Sequence, residues 1–287
     1  MGNSPKVSVI IPTHNRPERL KTAIESVQKQ TFSNWELIVV PDHCEESTFE
    51  VLQTFNDPRI VVIANNGDRR GGAAARNIAM DAAKGEFFAF LDDDDEWLPR
   101  KLELQLSEFQ EYPRTVLVSC DSYAVSSNGK SRRSRPTHIL NSDLQYENVP
   151  GSYSFVMIRR TDLRISESLK AFQDWDLWLK LTEPADVLMR SVDQPLALFN
   201  VHQEGRVSDF NASKLEAYQT FLSLHNWTRK AEKYHGAKAI YYQLKQPSLN
   251  ILQRFSKVCR YWFTRIGSGR KVSISEVKSL TGRLIRP

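Results

Sequence analysis

The chain has 287 residues, of which 40% are hydrophobic and 25% charged. This balance is typical of a globular protein and excludes disordered, collagen-like and coiled-coil chains. No run approaches the ~20 apolar residues that a membrane-spanning helix needs, and no signal-peptide core precedes the first predicted strand. The three cysteines are far apart and have no metal-ligand spacing, so we expect a cytoplasmic protein without disulfides.

The net charge of +5 is unevenly distributed along the chain. Residues 251–287 contain nine Lys and Arg and one Glu, a net of +8, which leaves −3 for residues 1–250. Proteins that bind nucleic acid carry basic residues across the working face. We therefore expect no nucleic-acid partner.

Strand and helix patterns alternate through the first 111 residues. Apolar runs rich in β-branched and aromatic residues predict strands, and helix formers at helical spacing predict the segments between them. The predicted strands are Lys6–Ile11, Trp35–Val40, Arg59–Ile63 and Glu86–Leu91. The first predicted helix begins after a cap at Asn15, and the other three span Ser47–Phe55, Ala73–Lys84 and Trp97–Glu111. This order predicts a parallel sheet whose ligands bind beyond the carboxyl ends of the strands.

Polar residues follow three of these strands. The first strand leads into Pro12-Thr13-His14-Asn15, the second into Pro41-Asp42, and the fourth into the acidic segment Asp92–Asp95. Four adjacent carboxylates repel one another, so a cation should accompany them.

In an extended chain, Asp92 and Asp94 would lie on one side and Asp93 on the other. That spacing suits Mg²⁺ or Mn²⁺ held by one or two carboxylates, with diphosphate oxygens completing the coordination. We assign Asp95 and Glu96 to the start of the following helix, where acidic residues favour the positive end.

The second half of the chain has weaker signals. It contains strand patterns at 115–120 and 153–158, a turn at 127–129 and a basic loop at 132–135. A tryptophan-rich helix then begins near Asp174, which could cap that helix, and Asp176 is expected to be solvated.

Together these motifs resemble the family 2 glycosyltransferases with a GT-A fold, which include many bacterial polysaccharide and lipopolysaccharide sugar transferases. The resemblance covers about residues 6 to 205. It rests on the order of 7–16 (VSVIIPTHNR), 35–42 (WELIVVPD), 75–77 (ARN), 84–86 (KGE), 90–99 (FLDDDDEWLP) and 173–178 (QDWDLW).

The resemblance implies an α/β fold with a mostly parallel central sheet flanked by helices. Residues 1–210 would form the catalytic domain, with a nucleotide-sugar-binding half at 1–111 and an acceptor-binding half at 112–210. Residues 211–287 would be a helical, basic C-terminal extension.

The resemblance also implies roles for individual residues. Arg76 would steady the acidic segment or reach a phosphate, although a purely structural ion pair is an equal alternative. Asp174 would be the general base, and His202 would contact the metal or the diphosphate. On the donor side, Pro12, Thr13 and Asn15 would contact the nucleotide, and Asp42 would contact the uracil ring. Asp94 would bind the metal directly. Asp92 and Asp93 would contact the ribose, the donor sugar or, through water, the metal.

The basic tail has an amphipathic helical pattern over residues 251–266. Its apolar face would carry Ile251, Leu252, Phe255, Val258, Cys259, Trp262, Phe263 and Ile266, and its basic face Arg254, Lys257, Arg260 and Arg265. Such a helix can lie on an anionic membrane surface. It can equally pack on the catalytic domain with a solvated basic face.

The expected function is that of an inverting glycosyltransferase. It would use a nucleotide-sugar donor, most simply a UDP-sugar, with Mn²⁺ or Mg²⁺, and a glycan or lipid-linked glycan acceptor in bacterial surface polysaccharide assembly. Two alternatives stay open: a nucleotidyltransferase, although its glycine-rich, lysine-bearing loop is missing, and a catalytically silent nucleotide-sugar-binding protein. A dehydrogenase is disfavoured because no G-x-G-x-x-G follows the first strand.

Overall fold

The computed structural model describes residues 4–184, 186–201, 212–244 and 251–269. The chain forms two compact units. The first comprises Met1–Leu144, Asn148–Glu167 and Gln173–His202, and the second comprises Gln145–Glu147, Ser168–Phe172 and Gln203–Pro287.

The first unit is built on one mixed sheet with helices between its strands. The strands are β1 (Val7–Thr13), β2 (Trp35–Pro41), β3 (Ile60–Val62), β4 (Phe87–Phe90), β5 (Glu96–Trp97), β6 (Thr115–Ser126), β7 (Gly129–Arg133), β8 (His138–Ile139), β9 (Met157–Arg159) and β10 (Leu188–Asn200). The helices are α1 (Pro17–Gln28), α2 (Glu46–Gln53), α3 (Gly72–Ala82), α4 (Lys101–Glu111), α5 (Asn141–Leu144) and α6 (Gln173–Leu181).

The amino-terminal half of the sheet is parallel, as the alternating pattern predicts. The strand order is β3-β2-β1-β4-β9-β6-β10-β5, and β1 pairs in parallel with both β2 and β4. Every residue of β1 and β2 is buried, which explains their continuous apolar sequences. Thr13 therefore lies opposite Pro41 at the carboxyl edge of the sheet.

The second half of the sheet departs from the sequence prediction in three places. Strand β9 is antiparallel to its neighbours β4 and β6, and residues 153–155 before it form a 3₁₀ turn instead of a strand. Arg132 and Arg133, expected in a loop, belong to β7 on the edge of β6. Trp97 pairs with β10 instead of starting a helix, because Leu98 precedes a proline and is biased away from helical geometry.

Close backbone packing at the amino-terminal end of β1 depends on Gly85. A Cβ atom at this position would lie 2.5 Å from the backbone nitrogen of Ser8 and 2.8 Å from the carbonyl carbon of Val7. The Gly85 N–H also donates to Ser8 Oγ at 2.8 Å. A glycine is therefore required where the β3–α3–β4 segment returns to the sheet.

The second unit contains helices α7 (Ala212–Ser223), α8 (Arg229–Leu244) and α9 (Ile251–Gly267). Helix α9 packs on α8 through a core of Ala237, Ile240, Leu244, Val258 and Tyr261. Within the described residues, no helix combines the length and apolar character that crossing a bilayer requires.

The faces of α9 differ from the predicted ones. Arg265, expected on the solvated face, is buried, with its guanidinium 4.8 Å from the ring centroid of Tyr234. Phe263, expected on the packed face, is 83% exposed. The reason is that Val258, Tyr261 and Arg265 follow the i, i+3, i+7 spacing that meets α8, and Phe263 lies off that stripe.

Candidate active site

The carboxyl edge of the parallel strands brings together the loop after β1 and the acidic segment after β4. Thr13 Oγ1 donates to Asp93 Oδ2 at 2.7 Å, and the Asp42 N–H donates to the Thr13 carbonyl at 2.8 Å. Pro12 lies just before them, buried within β1. Three of the predicted donor-side segments therefore meet at one edge.

The acidic segment is a turn, so the expectation of an extended chain is wrong. The Asp95 N–H donates to the Asp92 carbonyl at 3.1 Å, which closes the turn. Arg16 Nη1 consequently reaches Asp93 at 3.0 Å and Asp94 at 3.1 Å. Asp93 is buried, and burial raises its pKa against the lowering effects of Thr13 and Arg16.

Asp92 is held by a different set of groups. Its carboxylate forms an ion pair with Arg76 and accepts a 3.3 Å hydrogen bond from Ser152, while its N–H donates to Ser154 Oγ at 3.0 Å. Arg76 is buried and lies 4.1 Å from the ring centroid of Tyr153. The Arg76–Asp92 ion pair is compatible with both expectations for this residue, the steadying of the acidic segment and the purely structural ion pair.

Asp95 is part of this turn and not of a helix, which corrects its assignment. It is buried, with 1% exposure, and its Oδ1 accepts from the Asn200 N–H at 3.1 Å. Burial and the charge of Asp92 raise its pKa well above the ordinary value. The amide of Asn200 also donates to the Asp94 carbonyl at 2.7 Å, so the end of β10 fixes the turn.

Asp42 is buried at the end of β2 and makes two short hydrogen bonds. Asn65 Nδ2 donates to its Oδ1 and the Gly71 N–H to its Oδ2, both at 2.7 Å. Each carboxylate oxygen keeps a second lone pair. The side chain is thus rigidly oriented and retains acceptor capacity for a ligand N–H.

Asn15 does not cap the first helix. Its backbone has a φ of 51°, and its Oδ1 accepts from the Glu45 N–H at 2.8 Å. Arg16 occupies the cap position without a side-chain hydrogen bond to the helix. Asn15 instead ties the loop after β1 to the loop after β2.

Asp174 lies in the first turn of α6 and is partly buried. Its Oδ2 accepts from Asn148 Nδ2 at 2.8 Å and its Oδ1 from the Trp175 N–H at 2.8 Å. Burial raises its pKa to about 6 against the lowering effect of these hydrogen bonds, and the charges of Asp92 and Arg76 also act on it. The carboxylate is therefore electrostatically linked to the acidic turn and can exchange a proton near neutral pH.

Asp176 is not solvated, which corrects the expectation. It is fully buried and its Oδ2 accepts from Lys180 Nζ at 2.7 Å and from Ser166 Oγ at 2.6 Å. The two aspartates of α6 thus differ: Asp176 anchors the helix through Lys180 and Ser166, and Asp174 is influenced by the charge of Asp92.

A divalent cation fits the oxygen-donor chemistry of the acidic turn. Asp92 and Asp94 are partly exposed, with side-chain exposures of 26% and 23%, and carboxylates are preferred ligands of Mg²⁺ and Mn²⁺. Across the described ranges, no group of three or more His, Cys, Asp or Glu residues is arranged as a complete metal site. One or two carboxylates together with substrate phosphates is the usual arrangement for Mg²⁺. His202 lies outside the described residues.

Sequence reasoning missed three polar groups that orient the predicted residues. Arg16 contacts the carboxylates of Asp93 and Asp94, Asn148 donates to Asp174, and Ser154 accepts from the Asp92 N–H. The role of Arg16 could have been predicted from its position directly after the polar loop that follows β1, because four adjacent acids require cations nearby. Nothing in the local sequence around Asn148 or Ser154 indicates its partner.

The sheet order, the acidic turn after β4 and the carboxylate on α6 define the class: the first unit has the GT-A glycosyltransferase fold. The mannosyltransferase PcManGT of Pyrobaculum calidifontis, solved in complex with GDP-Man and Mn²⁺, superposes with a TM-score of 0.63 at 16% identity, over 98% of this chain and 79% of that one. This likeness confirms the predicted fold.

The family follows from sequence comparison. Residues 8–165 match the model of "Glycosyl transferase family 2", and the chain belongs to that family. The "Putative colanic acid biosynthesis glycosyl transferase WcaA" of Escherichia coli K12 is 32% identical over 82% of this chain and 87% of its own length. The Escherichia coli "UDP-Glc:alpha-D-GlcNAc-diphosphoundecaprenol beta-1,3-glucosyltransferase WfgD" is 46% identical over 35% of this chain and 40% of its own length.

Proposed function

We propose that this protein transfers a hexose from a UDP-sugar to a hydroxyl group of a lipid-linked glycan, with inversion at the anomeric carbon, in bacterial surface polysaccharide assembly. The observation that carries the proposal is the Asp174 carboxylate, which Asn148 and the Trp175 N–H orient and whose pKa of about 6 suits a general base at neutral pH. Family membership supports sugar transfer, and the substrates named for WfgD support the donor and acceptor class.

On the donor side, Pro12, Thr13 and Asn15 would border the nucleotide. Asp42 would accept a hydrogen bond from the uracil ring N–H. The corresponding ring nitrogen of cytosine carries no proton, so it cannot donate to a carboxylate. The orientation imposed by Asn65 and Gly71 supports this role.

Asp94 and Asp92 would hold Mn²⁺ or Mg²⁺, with Asp93 supporting the turn from its buried position. The cation, when bound, supplies positive charge that stabilises the departing nucleoside diphosphate. Arg16 and Arg76 keep the carboxylates oriented through the ion pairs described above. His202 would be a further ligand to the cation or to the diphosphate.

On the acceptor side, Asp174 would take the proton of the attacking hydroxyl group. The oxygen attacks the anomeric carbon as the bond to the diphosphate breaks, so the base must lie opposite the leaving group. A single displacement from that side inverts the configuration at the anomeric carbon, and it requires only one base. The hydrogen bond from Asn148 stabilises the charged form of the Asp174 carboxylate before that carboxylate takes the proton of the acceptor hydroxyl group.

We also propose that residues 1–210 form the catalytic domain and 211–287 a basic extension that attaches the protein to the cytoplasmic face of the membrane. The exposed ring of Phe263 on α9 supports this attachment, because aromatic side chains beside basic residues favour an anionic interface. A lipid-linked acceptor would be presented at that surface.

The decisive experiment compares the purified wild type with Asp174→Asn, using UDP-glucose, Mn²⁺ and a lipid-diphosphate N-acetylglucosamine acceptor. We expect the variant to keep its affinity for UDP, measured by calorimetry, and to lose acceptor-dependent UDP release by at least a hundredfold. Asp81→Asn, on the exposed Arg164 ion pair, is the matched control. Full turnover by Asp174→Asn would refute its role, and UDP binding without transfer by the wild type would favour a silent binding protein.

A further inference from the structure

The first unit contains an arginine beside the Asp174 region that has no carboxylate partner among the described residues. Arg135 Nη1 donates to the Cys120 carbonyl at 2.7 Å and Nε to the Pro150 carbonyl at 3.0 Å. Its guanidinium lies 4.4 Å from the ring centroid of Phe155. Within the part of the chain that the structure describes, Nη2 has no hydrogen-bond acceptor and no acid forms an ion pair with this side chain.

The nearby acid is already occupied. Asp121 accepts from Arg132 through Oδ2, at 2.7 Å and 2.9 Å, and from the main-chain N–H of Arg135 through Oδ1 at 2.7 Å. Burial lowers the pKa of Arg135 and the charge of Arg133 acts in the same direction, while the charge of Asp121, which Arg135 shares with Arg132, partly opposes this lowering. A partly buried cation without its own counter-charge is costly, unless a ligand supplies the negative charge.

The Nη2 edge of Arg135 lies close against Gly151. A Cβ atom at Gly151 would lie 2.6 Å from Arg135 Nη2, and the glycine adopts a φ of +83°. The Gly151 N–H donates to the Asn148 carbonyl at 3.1 Å, and Asn148 in turn donates to Asp174. One short loop thus connects the unpaired guanidinium to the proposed base.

Arg135 differs in this respect from the two arginines that contact the acidic turn. Arg16 and Arg76 are both paired with carboxylates of that turn, so their charge is already compensated. A guanidinium with a free N–H edge is well suited to phosphate oxygens, which it can bind with geometric specificity.

Building on the proposed function, we propose that Arg135 recognises the phosphate groups of a diphosphate-linked acceptor and so determines acceptor specificity. Gly151, which has no side chain, allows the guanidinium to lie this close to the loop that holds Asn148. In the proposed function the donor diphosphate would be held at the acidic turn, whereas Arg135 would bind the diphosphate of the acceptor.

The test measures binding of two acceptors to the full-length protein by calorimetry. One is N-acetylglucosaminyl diphosphate farnesol, and the other is the neutral octyl N-acetylglucosaminide, which lacks phosphate. We expect Arg135→Gln to weaken the diphosphate ligand at least tenfold, equivalent to about 1.4 kcal/mol, and the neutral ligand less than twofold. Arg135→Lys, which keeps the charge but loses the planar N–H edge, should retain only part of that affinity, and Arg164→Gln, which removes an exposed arginine, should change neither.

The outcomes separate recognition from folding. Equal weakening of both ligands by Arg135→Gln would indicate a structural role through Cys120 and Pro150 and would overturn the proposal, as would an unchanged affinity or a wild type that binds neither ligand. Diphosphate binding that depends on Arg135 without any sugar transfer would support the inference and refute the proposed function.

Discussion

Removing the amide of Asn148 should shift the pH dependence of sugar transfer in a defined direction. Asn148 Nδ2 donates to Asp174 Oδ2 at 2.8 Å and thereby favours the charged form of a carboxylate whose pKa burial raises to about 6. A hydrogen bond to a charged group contributes about 1.5 kcal/mol at the low end of its range, which corresponds to about one pH unit. In Asn148→Ala, the pKa of Asp174 should therefore rise to about 7.

The consequence is a selective loss of activity at low pH. At pH 6 the ionised fraction of the base would fall from about one half to about one tenth, so turnover should fall about fivefold, whereas at pH 8 it should change little. The assay is kcat against pH from 5 to 9 at saturating donor and acceptor. Asn141→Ala, which removes an amide that donates to the Thr182 carbonyl, is the control.

A uniform loss across the pH range would indicate that Asn148 only maintains the loop. An acid limb that stays in place, or that moves to lower pH, would refute the assignment of that limb to Asp174. Thermal unfolding of the variant, followed by circular dichroism, distinguishes a destabilised protein from a changed pKa.

Three further changes test other parts of the structure. Asp94→Asn should raise the Mn²⁺ concentration for half-maximal activity at least tenfold, because one carboxylate ligand is lost; an unchanged metal requirement would contradict the proposed ligand. Gly85→Ala should lower the free energy of unfolding in urea by about 2 kcal/mol, because the new methyl group overlaps the backbone of Ser8; wild-type stability would show that the sheet edge can yield. Phe263→Ser should reduce cosedimentation with phosphatidylglycerol vesicles, whereas Leu224→Ser, at another exposed apolar position of the second unit, should not; equal binding by both variants would exclude Phe263 as the membrane contact.

The amino-terminal half of the fold could be predicted because its signals are local. Strands β1 and β2 are runs of consecutive buried residues, and a helical pattern separates them, so the β-α order and the parallel pairing follow from the sequence. Strands β5 and β9 have two and three residues, too few for any periodicity. Their existence depends on pairing with distant strands, which local patterns do not contain.

The same distinction applies to the site. The carboxylates are visible in the sequence because four adjacent acids are unusual in any context. Their partners are not: Asn148 and Asp174 are 26 positions apart, and Arg16 and Asp93 are 77 apart. Burial is equally hidden, since the i, i+4 spacing of Asp176 and Lys180 is typical of a solvated helix pair, yet Asp176 is fully buried.

The charges at the acidic turn explain why metal and donor should complete the site together. Two guanidinium groups, Arg16 and Arg76, face the carboxylates of Asp92, Asp93 and Asp94, so most of the repulsion is compensated within the protein. A divalent cation alone would therefore meet only a weak net attraction and would compete with these ion pairs. A donor diphosphate brings additional negative charge and additional oxygen ligands. Because each binding event supplies the charge that the other needs, Mn²⁺ and UDP are expected to increase each other's affinity by the same factor.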